Sequence, residues 1–170
     1  YKAARLATAF NLALPNLAPL APGVSGPLSV NGTLEQIASD WAINTDIAGP
    51  YSSTATVSGT YGSAGATARY AVRVPDLGAL VPRLSGGAEV TGTATQVARG
   101  FDIDATLDGP SGTTAKVAGL VGTDGQLELD AAGSAQLGLI NPFIAPRTIA
   151  GLASFDLTVD GPAALSSLRG

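Results

Sequence analysis

The chain has 170 residues, 45% of them hydrophobic and only 13% charged, with a net charge of −4. It contains no Cys and no His, which excludes a disulfide framework, thiolate and imidazole metal sites, and any Ser-His-Asp or Cys-His nucleophile built within the chain. The acidic balance argues against a nucleic-acid partner, and the low charge with 22 Gly argues against a coiled coil or helical bundle. Read along the chain, short alternating runs are separated by Gly, Pro, Asn or Asp turns. Strands are expected near residues 5–14, 27–33, 40–48, 53–61, 66–74, 87–93, 100–108, 113–121, 125–132 and 151–160. The segments Pro15–Pro22 and Pro75–Pro82, and the tail Pro162–Leu168, open on Pro and predict a short helix or turn. Gly62-Ser63-Ala64-Gly65 reads as a hairpin loop; no Lys or following helix makes it a phosphate cradle. No run reaches the roughly 18 apolar residues of a membrane helix. Starting on Tyr1, the chain is expected to be an internal piece or a processed product.

Shifted by sixty positions, the sequence aligns on itself without a gap. Leu14-Pro15-Asn16-Leu17 meets Val74-Pro75-Asp76-Leu77, Ser25-Gly26 meets Ser85-Gly86, and Gly32-Thr33 meets Gly92-Thr93. Trp41 meets Phe101, Ile43 meets Ile103, and Gly49-Pro50 meets Gly109-Pro110. Identity of roughly two positions in five is several times the chance level for this composition. A looser third copy opens after Gly122, where Ile144-Ala145-Pro146 and Gly151 echo Leu20-Ala21-Pro22 and Gly26. The organisation expected is a single elongated domain over 1–170, with units of about 5–64, 65–124 and a partial third over 125–170.

Successive side chains of a strand point to opposite faces, so each run divides in two. One set comprises Phe10, Leu12, Leu14, Leu28, Val30, Trp41, Ile43, Ile47 and Val57 in the first unit. The second unit supplies Tyr70, Val72, Val74, Val90, Phe101, Ile103, Leu107 and Val117, and the later runs Leu127, Leu129, Phe155, Leu157 and Val159. None is charged. The other set holds Arg69, Arg73, Glu89, Asp102, Asp104, Asp108, Lys116, Glu128, Asp156 and Asp160. The fold class expected is therefore all-β: a curled, repetitive sheet, antiparallel or mixed, with a hydrophobic inner face and short helical turns. An apolar face must be hidden, by a second sheet or by solenoid stacking, or else it lines an open groove. Periodicity leaves a filled core and a lined groove both open.

Weaker motifs have plainer readings. Asp102 and Asp104 share a strand face and read as solvated surface rather than an acid/base pair. Asp102-Ile103-Asp104 with Asp108-Gly109 lacks the spaced ligands and closing Glu of a calcium loop. Asn31-Gly32-Thr33 matches a glycosylation acceptor, but its copy Thr91-Gly92-Thr93 assigns the position to a turn. Trp41 and Phe101 read as a large apolar plug at one repeat position.

Leu139-Ile140-Asn141-Pro142-Phe143-Ile144-Ala145-Pro146, then Gly151-Leu152-Ala153-Ser154-Phe155-Asp156-Leu157-Thr158-Val159-Asp160-Gly161-Pro162 and Ala164-Leu165-Ser166-Ser167-Leu168-Arg169-Gly170, carry a resemblance. Leu28-Ser29-Val30-Asn31-Gly32-Thr33 and Thr106-Leu107-Asp108-Gly109-Pro110 extend it over most of the chain. With its Ala- and Gly-rich, alphaproteobacterial flavour, the sequence resembles the translocation and assembly module (TamB) family among the AsmA-like proteins. The resemblance implies a β-taco, a curled sheet with a continuous hydrophobic groove. It also implies a parent protein anchored in the inner membrane of a Gram-negative bacterium and spanning the periplasm. The expected function is shielding of phospholipid acyl chains between the two membranes, with an Omp85-type outer-membrane barrel as a further partner. Alternatives are a structural β-solenoid with a filled core and an outer-membrane protein assembly factor acting through its sheet edges. The family has no catalytic residues to carry over, so neither an enzyme nor a cofactor is expected; the groove maps onto the uncharged positions named above.

Overall fold

The computed structural model describes residues 6–18 and 24–162. Ten strands follow one another as a meander in a single antiparallel sheet, each hydrogen-bonded to its neighbours in sequence. They are β1 (Ala7–Leu14), β2 (Leu28–Ile37), β3 (Asp40–Ala48), β4 (Thr54–Gly62) and β5 (Gly65–Val74). The remainder are β6 (Ala88–Val97), β7 (Gly100–Asp108), β8 (Thr114–Gly122), β9 (Gln126–Gln136) and β10 (Leu152–Pro162). The sheet does not close into a barrel: β1 and β10 do not pair with each other. Parallel pairing, which a mixed sheet would include, does not occur among the described strands.

All ten expected strands form. Three run four residues further than their patterns suggested: β2 ends at Ile37, β6 at Val97 and β9 at Gln136. Gly32 and Gly92 read as turn residues near the ends of the runs 27–33 and 87–93, yet both sit inside the ladder, opposite Phe10 and Tyr70. The reason is steric. A Cβ at Gly32 would overlap the Phe10 ring, and one at Gly92 would stand 2.6 Å from the Tyr70 Oη. Each aromatic ring lies over a cross-strand glycine, which needs no side chain there and covers exposed backbone. The third unit reverses the arrangement, with Phe155 of β10 over Gly133 of β9. Asn31-Gly32-Thr33 is thus mid-strand rather than a turn, and Asn31 accepts a hydrogen bond from Asn11.

One end of the sheet carries tight turns, such as Ser63-Ala64 between β4 and β5. The other end carries longer loops, closed three times in the same way. The backbone N–H of Leu17 donates to Gly26 O at 2.9 Å, that of Leu77 to Gly86 O at 2.8 Å, and that of Leu137 to Gly151 O at 2.9 Å. The accepting glycines have φ of 126°, 102° and 124°, a region that disfavours side chains. The third loop is longer and holds a 3₁₀ turn (Leu137–Ile140) and the helix α1 (Asn141–Ile144). In the second loop the helical turn is Leu77–Ala79, capped by the Asp76 carboxylate on Gly78 N at 2.9 Å, so it opens after Asp76 and not at Pro75. The turn expected at Pro15–Pro22 lies partly, and the helix at Pro162–Leu168 almost wholly, outside the described residues.

The extensive contacts of each strand are with its immediate neighbours, the pattern of a quasi-one-dimensional repeat. Deleting residues 65–124 should therefore leave a cooperative, six-stranded sheet in which β4 pairs with β9, with an unchanged β-type circular dichroism spectrum and a lower urea midpoint. The glycines differ in what substitution would meet. At Gly119, with φ of 137°, a Cβ would overlap the backbone carbonyl oxygen of Glu128, which cannot swing aside. Gly119→Ala should cost about 2–4 kcal/mol by urea denaturation. Gly32→Ala, where the nearest atoms met belong to the Phe10 ring, which can turn aside, should cost about 1 kcal/mol.

Candidate functional site

The register carries the face assignment across all ten strands. Leu12, Val30, Ile47, Ala55, Val72, Val90, Leu107, Ala115, Gly133 and Phe155 form one unbroken row of cross-strand partners. On either side run the rows through Phe10, Val57, Tyr70, Val117 and Leu157, and through Leu14, Leu28 and Val74. Beyond the Phe10 row comes that of Ile43, Ile103, Leu129 and Val159, then that of Trp41, Phe101 and Leu127. Every residue read as apolar-face from the sequence thus falls on one face, and no charged residue of a described strand joins them. Leu34, Tyr61 and Val121 belong to the same face and were missed. Leu34 lies one residue past the run expected over 27–33, and Val121 abuts a turn.

This face is not a filled core. Among the described residues the buried apolar side chains are Ala115 on this face and Pro50 in a loop. Leu12 is 52% exposed, Leu157 48%, Phe10 40% and Ile43 36%, and among the described residues no second sheet covers them. Phe101 is also exposed and Trp41 half-buried, so neither is a sealed plug. At the loop end the face deepens into an apolar pocket of about 250 Å³. Its floor is Leu28, Ile47, Val72 and Val74; Leu17, Val24, Pro50, Tyr51 and Leu80 from the loops complete it. Those loop residues were not legible as a site, because their spacing carries no period.

Tyr51 stands in the Gly49-Pro50 turn with φ of 58°, and its hydroxyl lies 3.3 Å from Ser25 Oγ, joining the turn to the preceding loop. The hydrogen bonds from Ser25, side chain first and backbone second, hold the Tyr51 phenol below its ordinary value. No carboxylate or cation lines this pocket.

The opposite face carries the charge. Its rows include Asn31, Asp46, Thr56, Thr91 and Lys116, and Asn44, Ser58, Arg69, Thr93 and Asp104. A wide, shallow hollow of about 560 Å³ lies here, between hydroxyl rows of β4 to β6 around Arg69. It is larger than the loop-end pocket but more open, and its lining is mixed, with hydroxyls and Arg69 beside Ala42 and Ala68. Asp102 and Asp104 face Thr95 and Thr93 on this side, without a third acid to complete a site. Among the described residues no group of three or more acids is placed to hold a metal ion. The one ion pair among them, Arg99 with Glu128 at 2.8 Å, lies at the tight-turn end and is exposed on both sides.

Comparison with family models, characterised proteins and solved structures finds no match to this chain.

The Tyr51 contact gives a titration test. A phenol lowered in the folded state favours its phenolate there, so its stabilising effect is present at alkaline pH, is lost as pH falls through the lowered value, and is nil near neutrality. Difference absorbance should show an early phase in which a phenol ionises below the ordinary tyrosine range. Tyr51→Phe should remove that early phase, and Ser25→Ala should move it back toward the ordinary tyrosine range.

Proposed function

We propose that the chain is a binding module for long apolar ligands, and that in its parent protein it shields phospholipid acyl chains. The observation that carries this reading is the uncovered apolar face, continuous over ten strands and free of charge along its strands. Contiguous exposed apolar surface of this extent on a water-soluble face is a binding site or an aggregation hazard. An acyl chain needs what this face offers: length, no buried charge and no specific polar partner. Each methylene withdrawn from water contributes about 0.8 kcal/mol, so area alone supplies affinity. A single charge under the chain would carry a large desolvation cost. Binding of this kind calls for no catalytic group.

The resemblance to the TamB family extends the proposal to a setting: a segment of a periplasmic lipid conduit, its parent held in the inner membrane and cooperating with an outer-membrane barrel. The loop-end pocket then suits the terminal part of one chain, since its walls are apolar and it lies in line with the face.

The test uses Ile43→Asp and Ile103→Asp. Ile43 is more than a third exposed and Ile103 belongs to the same row, so a carboxylate at either position remains in contact with water and the sheet should persist by circular dichroism. Native mass spectrometry of the purified protein should show co-purifying phospholipid. Displacement of a fluorescent fatty-acyl probe should weaken at least about tenfold in each Asp variant. A protein that never carries lipid, or folded Asp variants that bind the probe unchanged, would sink the acyl-chain reading. Outright unfolding of both variants would instead support a structural solenoid with a packed face.

A further inference from the structure

The loop-end turns that follow β3 and β7 share one backbone and differ in their side chains. Tyr51 has φ of 58° and ψ of 31°, and its counterpart Ser111 has φ of 56° and ψ of 28°. The next residues, Ser52 and Gly112, have φ of 59° and 76°. Left-handed backbone disfavours side chains, bulky ones most of all. The second unit meets this shape with Ser-Gly, whereas the first holds Tyr-Ser in it. Closing the turn does not call for the ring: the Gly49 N–H donates to Ser53 O at 2.8 Å, and without a tyrosine the Gly109 N–H donates to Thr113 O at 2.7 Å. Strain that a copy of the same turn lessens points to a task for the side chain.

The surroundings differ in the same sense. Tyr51 lines the loop-end pocket, with its hydroxyl tied to Ser25 Oγ at 3.3 Å. Leu28 and Val72 belong to the pocket floor, and cross-strand pairing puts Ala88 and Gly133 at the corresponding places of the second unit. There the Phe155 ring already lies over Gly133, and Ala115 opposite that glycine is buried. The first unit thus keeps an aliphatic hollow beside a tyrosine where the second is covered by its own chain. A volume of about 250 Å³ falls below the roughly 300–1,000 Å³ of a site that takes a whole small ligand, so it suits one end of a longer molecule. Its described lining carries no charged residue.

We propose that Tyr51 is the binding residue that closes the acyl-binding face at the loop end. Its ring packs against the terminal carbons of a bound chain, and Ser25 is the positioning residue that holds the ring there. The inference rests on the acyl-chain reading above and adds where a chain ends and which side chain meets it. It also makes the repeat unequal in function. Ser111 and the covered floor leave the second unit without this arrangement, so a chain end is seated in the first.

The test follows the tyrosine rings. In protein carrying isotope-labelled tyrosine, the ring signal lost in Tyr51→Phe identifies Tyr51, and the matching Phe variants identify Tyr61 and Tyr70, which report on the face itself. Decanoate, a single saturated chain, should shift the Tyr51 signal saturably and by more than the other two. Tyr51→Ser combined with Ser52→Gly gives the first turn the residues of the second and should leave the sheet intact by circular dichroism. It should weaken decanoate binding about fourfold to fifteenfold, the loss expected from uncovering one or two methylenes. Tyr51→Phe keeps the ring and should lose no more than about threefold. A Tyr51 shift no larger than those of Tyr61 and Tyr70 would overturn the chain-end assignment while the acyl-chain reading stood. So would unchanged affinity in the Ser-Gly variant, or a loss in Tyr51→Phe as large as in that variant. Should the Ser-Gly variant lose its sheet, the shifts in the unaltered protein decide. No shift at any ring, with no displacement of the fluorescent acyl probe by decanoate, would remove the acyl-chain reading itself.

Discussion

In-register pairing is the constraint on which every other feature of this molecule depends. A strand's side chains alternate with a period of two, so a slip of one residue between any two strands would turn an apolar row to the charged side. Across nine successive pairings the rows stay in phase, and the face through Leu12, Ile47, Val90 and Phe155 remains free of charge from the first strand to the last. Several devices hold that phase. Turns of two or three residues allow little slack at one end, the closing bonds of Leu17, Leu77 and Leu137 fix the loops at the other, and aromatic rings lock onto cross-strand glycines between them.

A sheet held this way does not need a conventional core, and here it has almost none. Its stability must come from backbone ladders and from lateral contact of side chains along rows, each worth a fraction of a kcal/mol to about 1 kcal/mol. Such contacts are local in sequence, which suits a meander whose strands meet chiefly their neighbours. The Gly-Pro turns add a second tier by seating each proline on the preceding loop's glycine, so that neighbouring strand pairs are coupled through their loops as well as their ladders.

The strand count, their order along the chain and the two faces were legible in the sequence, because alternation and a gapless repeat report on backbone period directly. The mid-strand glycines were not. Gly32 and Gly92 look like turn residues until the cross-strand partner is known, and that partner is a ring in another strand. Whether the apolar face is filled was also hidden, since a period of two says which side is apolar and nothing about what lies over it. The loop-end pocket escaped for a related reason: Leu17, Pro50 and Leu80 come from separate loops with no shared spacing. What sequence did disclose about the site was its negative chemistry, the lack of His and Cys and of charge along one face.

That negative chemistry bears on how binding and folding are linked. In a packed domain the apolar residues that stabilise the fold are withdrawn from water, and a ligand competes with them for space. Here the apolar rows are still largely in water after folding, so a chain laid along them would remove surface that folding left uncovered. Its binding free energy would add to the stability of the sheet as RT ln(1 + [L]/Kd), without any rearrangement of the strands. The acids and hydroxyls of the opposite face keep the single layer hydrated in the meantime, and Asp156 and Asp160 on β10 oppose pairing of that edge with a copy of itself. One sequence period thus divides the strands by face: hydrated charge on one side, and on the other an apolar surface that the described strands leave uncovered.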